Sequence, residues 1–302
     1  MLKKTAPFLV IIAGCMWGAI GTFVRILSAM GLDNTTIVEC RMFGAMLMLT
    51  AGLLIYDKRL LKINPKDIWI FFGAGFLCTA CFNTCYNIAI NELTLSLAAI
   101  LLCTAPFFVV ILAYVFFREK ITPWKIKTLL LAFCGCVLVC GIFDRGATFS
   151  AYGILIGLLS GIGYAFLSIF ARIAINKGYH SLTINTWCFI CASLGLAFFT
   201  DWGQLGTLVG AAPLSMGGLL FLHALIGTAA PYILFTVALN YIDTGRAAIL
   251  SSSEPVSATI MGYIIYHETL SVYALTGMVM VLAALIILSK PEVEEIRRDV
   301  GA

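Results

Sequence analysis

The chain has 302 residues, of which 61% are hydrophobic and 11% charged, with a formal net charge of +4. Even large water-soluble domains keep about a quarter of their residues charged, so this composition excludes folding in water, and so small a positive balance makes no case for nucleic acid. The alternating strands of a membrane barrel are absent, which leaves an all-α integral membrane protein.

Apolar stretches predict ten transmembrane helices, at 7–29, 34–55, 67–90, 93–117, 123–142, 151–175, 181–200, 214–239, 246–266 and 270–289. Each is long enough to cross a hydrocarbon core of ~30 Å. Lys3 and Lys4 ahead of the first stretch mimic a cleaved leader, yet its loss would leave the sixth span without a first-half counterpart. We read it as a retained helix. Eleven cysteines lie mostly inside apolar segments. Cys78, Cys81 and Cys85 share one helical face and Cys188 and Cys191 are three apart, but no histidine accompanies either group, so packing is the expectation and no metal or cofactor is called for.

The segment Ala89 to Glu119 recurs 149 positions later as Ala238 to Glu268. Ala89/Ala238, Asn91/Asn240, Ala98-Ala99-Ile100-Leu101 against Ala247-Ala248-Ile249-Leu250, Pro106/Pro255, Ile111/Ile260, Tyr114/Tyr263 and Glu119/Glu268 are identical. The chain therefore reads as two related halves, 1–145 and 146–290, followed by a charged tail, 291–302. Of its 19 Lys and Arg, Arg25 and Arg41 fall within spans, Arg145 falls in an outer loop, and the rest fall on one side, which the positive-inside rule makes cytoplasmic together with both termini. Five helices per half is an odd number, so the halves are expected to be inverted. Such repeats are the architecture of secondary transporters that open to either side in turn.

Pro106 within an apolar segment, then Arg118-Glu119-Lys120-Ile121-Thr122 and a glycine-containing helix, resembles the EamA-type unit of the drug/metabolite transporter superfamily. The second copy has Pro255 and His267-Glu268-Thr269-Leu270-Ser271, and Trp17-Gly18 and Arg41-Met42-Phe43 fit the same pattern. The resemblance implies a bacterial-type inner-membrane exporter of small metabolites, amino acids among them, through a central cavity lined by both halves.

Glu254 is the leading candidate for chemistry. It lies about eight residues into the ninth span, ~12 Å along the axis, where a carboxylate costs at least ~2.5 kcal/mol and needs a partner or a wet cavity. Ser251 and Ser257 share its face, Pro255 frees a helical carbonyl as Pro106 does in the other half, and the first-half counterpart of Glu254 is Ala105. Either Glu254 takes up a proton or a cationic substrate group, or it is a neutral carboxyl kept for packing. Arg25, Glu39 and Arg41 form a second set near the outer ends of the first two spans. Gly14, Gly18, Gly21 and Arg25 recur on one side of the first span, which points Arg25 into the bundle and favours an Arg25–Glu39 pair, as an outer gate or a static tie.

His223 titrates near neutral pH when free and is a candidate for coupling, against the plainer reading of a buried hydrogen-bonded histidine. Asn83, Tyr86, Asn87, Tyr232 and Asn240 supply groups that orient a zwitterion or tie helices together. Among Trp17, Phe107, Phe108, Tyr164 and Trp187, Trp17 leads because the resemblance puts it near the cavity. The expected partners are a small-molecule substrate and lipid, with a homodimer through the glycine-containing fifth and tenth helices as an option.

No His-Glu-x-x-His, paired membrane aspartates or nucleophile elbow argues for an enzyme, and no phosphate-binding loop argues for ATP drive. A lipid-linked carrier flippase and a passive facilitator share the architecture and stay open.

Overall fold

The computed structural model of the protein describes residues 2–93, 95–140, 150–267 and 270–289. Arg145, Glu268, Thr269 and the tail 291–302 lie outside the described residues. In hydrocarbon every backbone N–H and C=O must find its partner within the chain, and among the described residues every regular element is a helix.

The first half comprises α1 (Leu2–Gly18), α2 (Ile20–Ala29), α3 (Asn34–Tyr56), α4 (Ile68–Phe72), α5 (Thr79–Glu92), α6 (Leu95–Leu102), α7 (Ala105–Phe117) and α8 (Pro123–Val139). The second comprises α9 (Ala151–Asn176), α10 (Ser181–Leu196), the short α11 (Trp202–Ala211), α12 (Pro213–Ala224), α13 (Ala230–Ala238), α14 (Thr244–Leu250), α15 (Ser253–Tyr266) and α16 (Val272–Ser289). Eight helical stretches are long and apolar enough to cross a membrane. The two expected spans that fall short do so for local reasons: α8 is 17 residues long, and 246–266 carries Ser251, Ser252, Ser253 and Glu254 where α14 gives way to α15, whereas the equally divided 98–117 stays apolar enough to span.

That division is itself repeated. α6 ends at Leu102 and α7 begins at Ala105; 149 positions on, α14 ends before Ser251 and α15 begins at Ser253. At each break the ladder tightens, with Thr104 N donating to Leu101 O (3.1 Å) and Ser252 N to Ile249 O (3.1 Å), and a proline without an N–H follows, Pro106 or Pro255. α7 and α15 then end on non-glycine residues in the left-handed region, Arg118 (φ 55°) and His267 (φ 54°), which also stand 149 apart. A wide π turn interrupts the third segment of each half, Gly73–Cys78 between α4 and α5 and Leu225–Ala229 between α12 and α13.

The halves interlock. α1 packs on α13 and α15 of the second half, whereas α9 packs on α5 and α7 of the first. Small residues allow these approaches: a side chain at Gly18 would collide with the α15 backbone at Glu254 and Ala258, and one at Gly157 with Leu101. α8 and α16 meet at Gly135 and Gly277, each lying against the other's carbonyl. Gly135 of the fifth expected span and Gly277 of the tenth thus pack against each other within the chain. The largest apolar cluster spans both halves, from Ala6, Val10 and Ala13 through Leu129 and Phe235 to Leu285 and Leu288. Ile55, Phe198, Leu214 and other large apolar side chains point outward, as a lipid-facing surface requires.

Candidate functional site

Two adjoining cavities lie at the helix breaks, sharing Pro106, Tyr164 and Ser251 as wall. The larger, about 260 Å³, is lined by Tyr86 of α5, Cys103 at the first break, Cys136 and Cys140 at the end of α8, and Ser252, Glu254, Pro255 and Thr259 around the second break. The smaller, about 50 Å³, is bounded by Trp17, Asn185, Phe189, Tyr232 and Thr236. The broken helices put their ends at bundle depth, which lets a carboxylate from one half stand opposite thiols and phenols from the other.

Glu254 stands in the first turn of α15, half-buried on the wall of the larger cavity. The cation whose charge it feels is Arg41, which also acts on Tyr232 and Tyr164. Arg41, grouped from the sequence with Arg25 and Glu39 as a gating or helix-pairing set, is buried and directed from α3 into the second half, where Nη1 donates to Thr228 Oγ1 (3.4 Å). Glu39 lies two residues earlier and so faces elsewhere, its Oε1 accepting from Ser193 Oγ of α10 at 2.5 Å. The expected Arg25–Glu39 pair is not formed. Arg25 is exposed at the end of the glycine stripe, with its guanidinium carbon 4.5 Å from the centre of the Tyr266 ring. It follows the α1–α15 seam outward and does not turn into the bundle.

Trp17 is 7% exposed, edge-on to Tyr232 at 5.3 Å between ring centres and 5.5 Å from Phe235, and Tyr232 continues to Phe189 at 5.4 Å. This aromatic wall joins α1, α10 and α13. Tyr86 and Ser251 also line the cavities, the Ser251 hydroxyl donating to Ala248 O (2.8 Å). His223 is fully buried at the end of α12, stacked on Phe23 at 5.2 Å and within the field of Arg41, but outside both cavity walls.

Other candidates serve the scaffold. Ser257 donates to Cys15 O (2.8 Å) and Ser253 to Ile11 O (3.1 Å), fastening α15 to α1; Ser257 therefore turns away from the cavity. Asn83 donates to Thr79 O (2.7 Å) in its own helix, and Asn240 reaches Ser181 Oγ (3.1 Å) past the exposed end of α13. Trp187 donates to Leu61 O (3.0 Å). Asn87 sits on α5 with its side chain outside the description.

Sequence reasoning missed the polar network at the basic face. Glu119 Oε1 accepts from Thr244 N (2.9 Å) and Oε2 from Gly245 N (3.2 Å), so the residue after the α7 cap holds the start of α14 in the other half. Lys125 pairs with Asp243 at 3.3 Å, and Arg172 donates to Thr244 Oγ1 (2.8 Å) and to Ile242 O. A second clasp joins Asp67 to Lys177 (2.6 Å) and Tyr179 (2.7 Å). The available signal was Glu119 itself, an acid repeated at Glu268. Thr228, Ser193 and the thiols Cys103, Cys136 and Cys140 left no comparable trace. No group of three or more His, Cys, Asp or Glu suited to a metal ion occurs among the described residues.

The EamA-like transporter family matches residues 4–141 and again 151–290. An "uncharacterized transporter" of Archaeoglobus fulgidus is 28% identical over 286 residues, spanning 92% of this chain and 94% of its own. The "uncharacterized transporter YxxF" of Bacillus subtilis is 25% identical over 291 residues, 94% of this chain and 89% of its own. A crystal structure with 15% identity superposes with a TM-score of 0.73 over 94% of this chain and 96% of that one, a likeness of fold.

Proposed function

This chain belongs to the EamA-like transporter family, and from that premise we propose that it is a secondary active transporter exporting small metabolites, amino acids among them, by proton-coupled alternating access. The observation that carries the reading is Glu254, a lone carboxylate on the wall of a cavity between the halves. A carboxylate at bilayer depth is expensive unless it exchanges a proton or meets a cation, and either exchange is a coupling step. At about 260 Å³ the cavity falls below the range of drug-sized pockets, which favours a small solute over a lipid-linked carrier.

In this reading α1–α2, α3, α4–α5, α6–α7 and α8 are five spans, repeated in inverted sense by α9, α10, α12–α13, α14–α15 and α16. Both termini are then cytoplasmic, in an inner membrane. The Glu119–α14 and Asp67–Lys177 clasps close the cytoplasmic side, and they must break for substrate to enter from within. Because proton uptake neutralises Glu254, its protonated and ionised forms differ in what the carboxyl can hold, and a pH gradient biases one over the other.

The test is flux of labelled metabolites in proteoliposomes with and without an imposed pH gradient. Saturable, gradient-driven flux that Glu254→Gln abolishes is expected. Flux indifferent to pH in both proteins would discard the proton and leave a facilitator.

A further inference from the structure

The guanidinium of Arg41 is a buried cation that no carboxylate among the described residues contacts. The group carries five N–H donors in a planar fork, yet the hydrogen bond it makes goes to a neutral hydroxyl, Thr228 Oγ1 at 3.4 Å, with Tyr232 four positions beyond Thr228 on the same helical segment. Among the described residues no ion pair includes it, and Glu254 acts on it through space without forming one. Removing a charge from water without pairing it is strongly unfavourable, so this arrangement is incomplete as it stands.

Beside it stands a second incomplete group. His223 is 0% exposed, and neither Nδ1 nor Nε2 has a hydrogen-bond partner among the described residues. Its flat face is taken by Phe23, which leaves the ring edge and its nitrogens as its polar surface. The π turn Leu225–Ala229 separates His223 from Thr228 by five positions, the i to i+5 spacing that brings both to one side of the widened helix. Gly227 allows the turn to pack closely here, since a Cβ there would come within 3.2 Å of Ile20 and 3.3 Å of the imidazole.

We propose that Arg41, His223, Thr228 and Tyr232 form a carboxylate-binding subsite. A carboxylate suits it better than a phosphate: the guanidinium fork matches two coplanar oxygens, and one fixed cation with a neutral imidazole balances a single negative charge. The imidazole N–H and the hydroxyls of Thr228 and Tyr232 supply the remaining donors. This inference rests on the transporter reading for its role, as the subsite would hold the carboxylate end of a solute whose other end meets Glu254 or the aromatic wall.

The test is equilibrium binding to purified protein in lipid nanodiscs, by titration calorimetry, using amino acids, their α-amides and their deamino acids as matched series. Compounds with a free carboxylate are expected to bind at least ~10-fold more tightly than the amides, the worth of a charged hydrogen bond. Arg41→Gln should erase that preference, Arg41→Lys retain part of it, and His223→Gln retain more than His223→Leu. Equal affinity for acids and amides in the wild-type protein, or binding by neither series, overturns the subsite. Gradient-driven flux decides the transporter reading separately, so flux of a substrate without a carboxylate would sink this inference and leave that one standing.

Discussion

The two broken helices, α6–α7 and α14–α15, share a backbone and differ in chemistry. Both break 149 residues apart, both carry proline just beyond the break, and both end on a left-handed residue. Yet Cys103, Thr104 and Ala105 stand where the second half has Ser252, Ser253 and Glu254. The break is therefore a requirement of the fold, while the charge is an addition made once. Thr104 bonds back to Leu101 within its own turn, whereas Ser253 reaches across to α1, so even the neutral positions differ in what they join.

The comparison is broken most severely by moving the charge. Ala105 is 1% exposed, and Ala105→Glu places a further carboxylate in the bundle, opposite Glu254 across the paired breaks, at a cost of about 3 kcal/mol or more. The variant should accumulate poorly in membranes, and combining it with Glu254→Ala should not restore gradient-driven flux; restored flux would make the two halves interchangeable. Glu254→Gln alone should fold normally and lose gradient-driven flux by ~100-fold or more, the scale of a lost proton-transfer step, with substrate exchange at equal pH surviving.

Substituting Gly135 or Gly277 tests the seam that both halves share. Either glycine changed to valine should lower stability by about 1–3 kcal/mol through overpacking, seen as earlier unfolding in detergent. Glu119→Gln weakens the clasp by about 1–2 kcal/mol, because two backbone amides lose a charged acceptor. Alkylation of Cys103 and Cys140 by a reagent applied at the basic face should then accelerate several-fold, read by mass spectrometry. Unchanged labelling would deny the clasp a gating role. Arg25→Gln should have the smallest effect, under about 1 kcal/mol, since it takes an exposed cation off the Tyr266 ring.

Much of this was legible before any coordinates. Composition decided the solvent, because so few charges cannot face water. The repeat was visible in Ala98–Leu101 against Ala247–Leu250, and the prolines marked where two helices break. Glu254 stood out because a carboxylate in hydrocarbon is costly wherever its neighbours lie. Arg25, Glu39 and Arg41 were harder: the 3.6-residue period separates Glu39 from Arg41 but does not say which helix each one faces. Their partners, Tyr266, Ser193 and Thr228, all come from the other half. Asn83 and Asn240 illustrate the same gap, since a polar residue in an apolar helix satisfies itself equally well in a cavity or on a nearby backbone or hydroxyl oxygen.

The sequence by itself determined an all-helical membrane protein of two related halves with paired helix breaks, because burial, backbone satisfaction and proline act locally. Only the tertiary structure decided that Arg41 reaches Thr228 of the other half, and that Glu119 holds α14. Those meetings depend on the rotation and depth of helices about two hundred residues apart or from opposite halves, and these are set by side-chain packing between halves that no local pattern encodes.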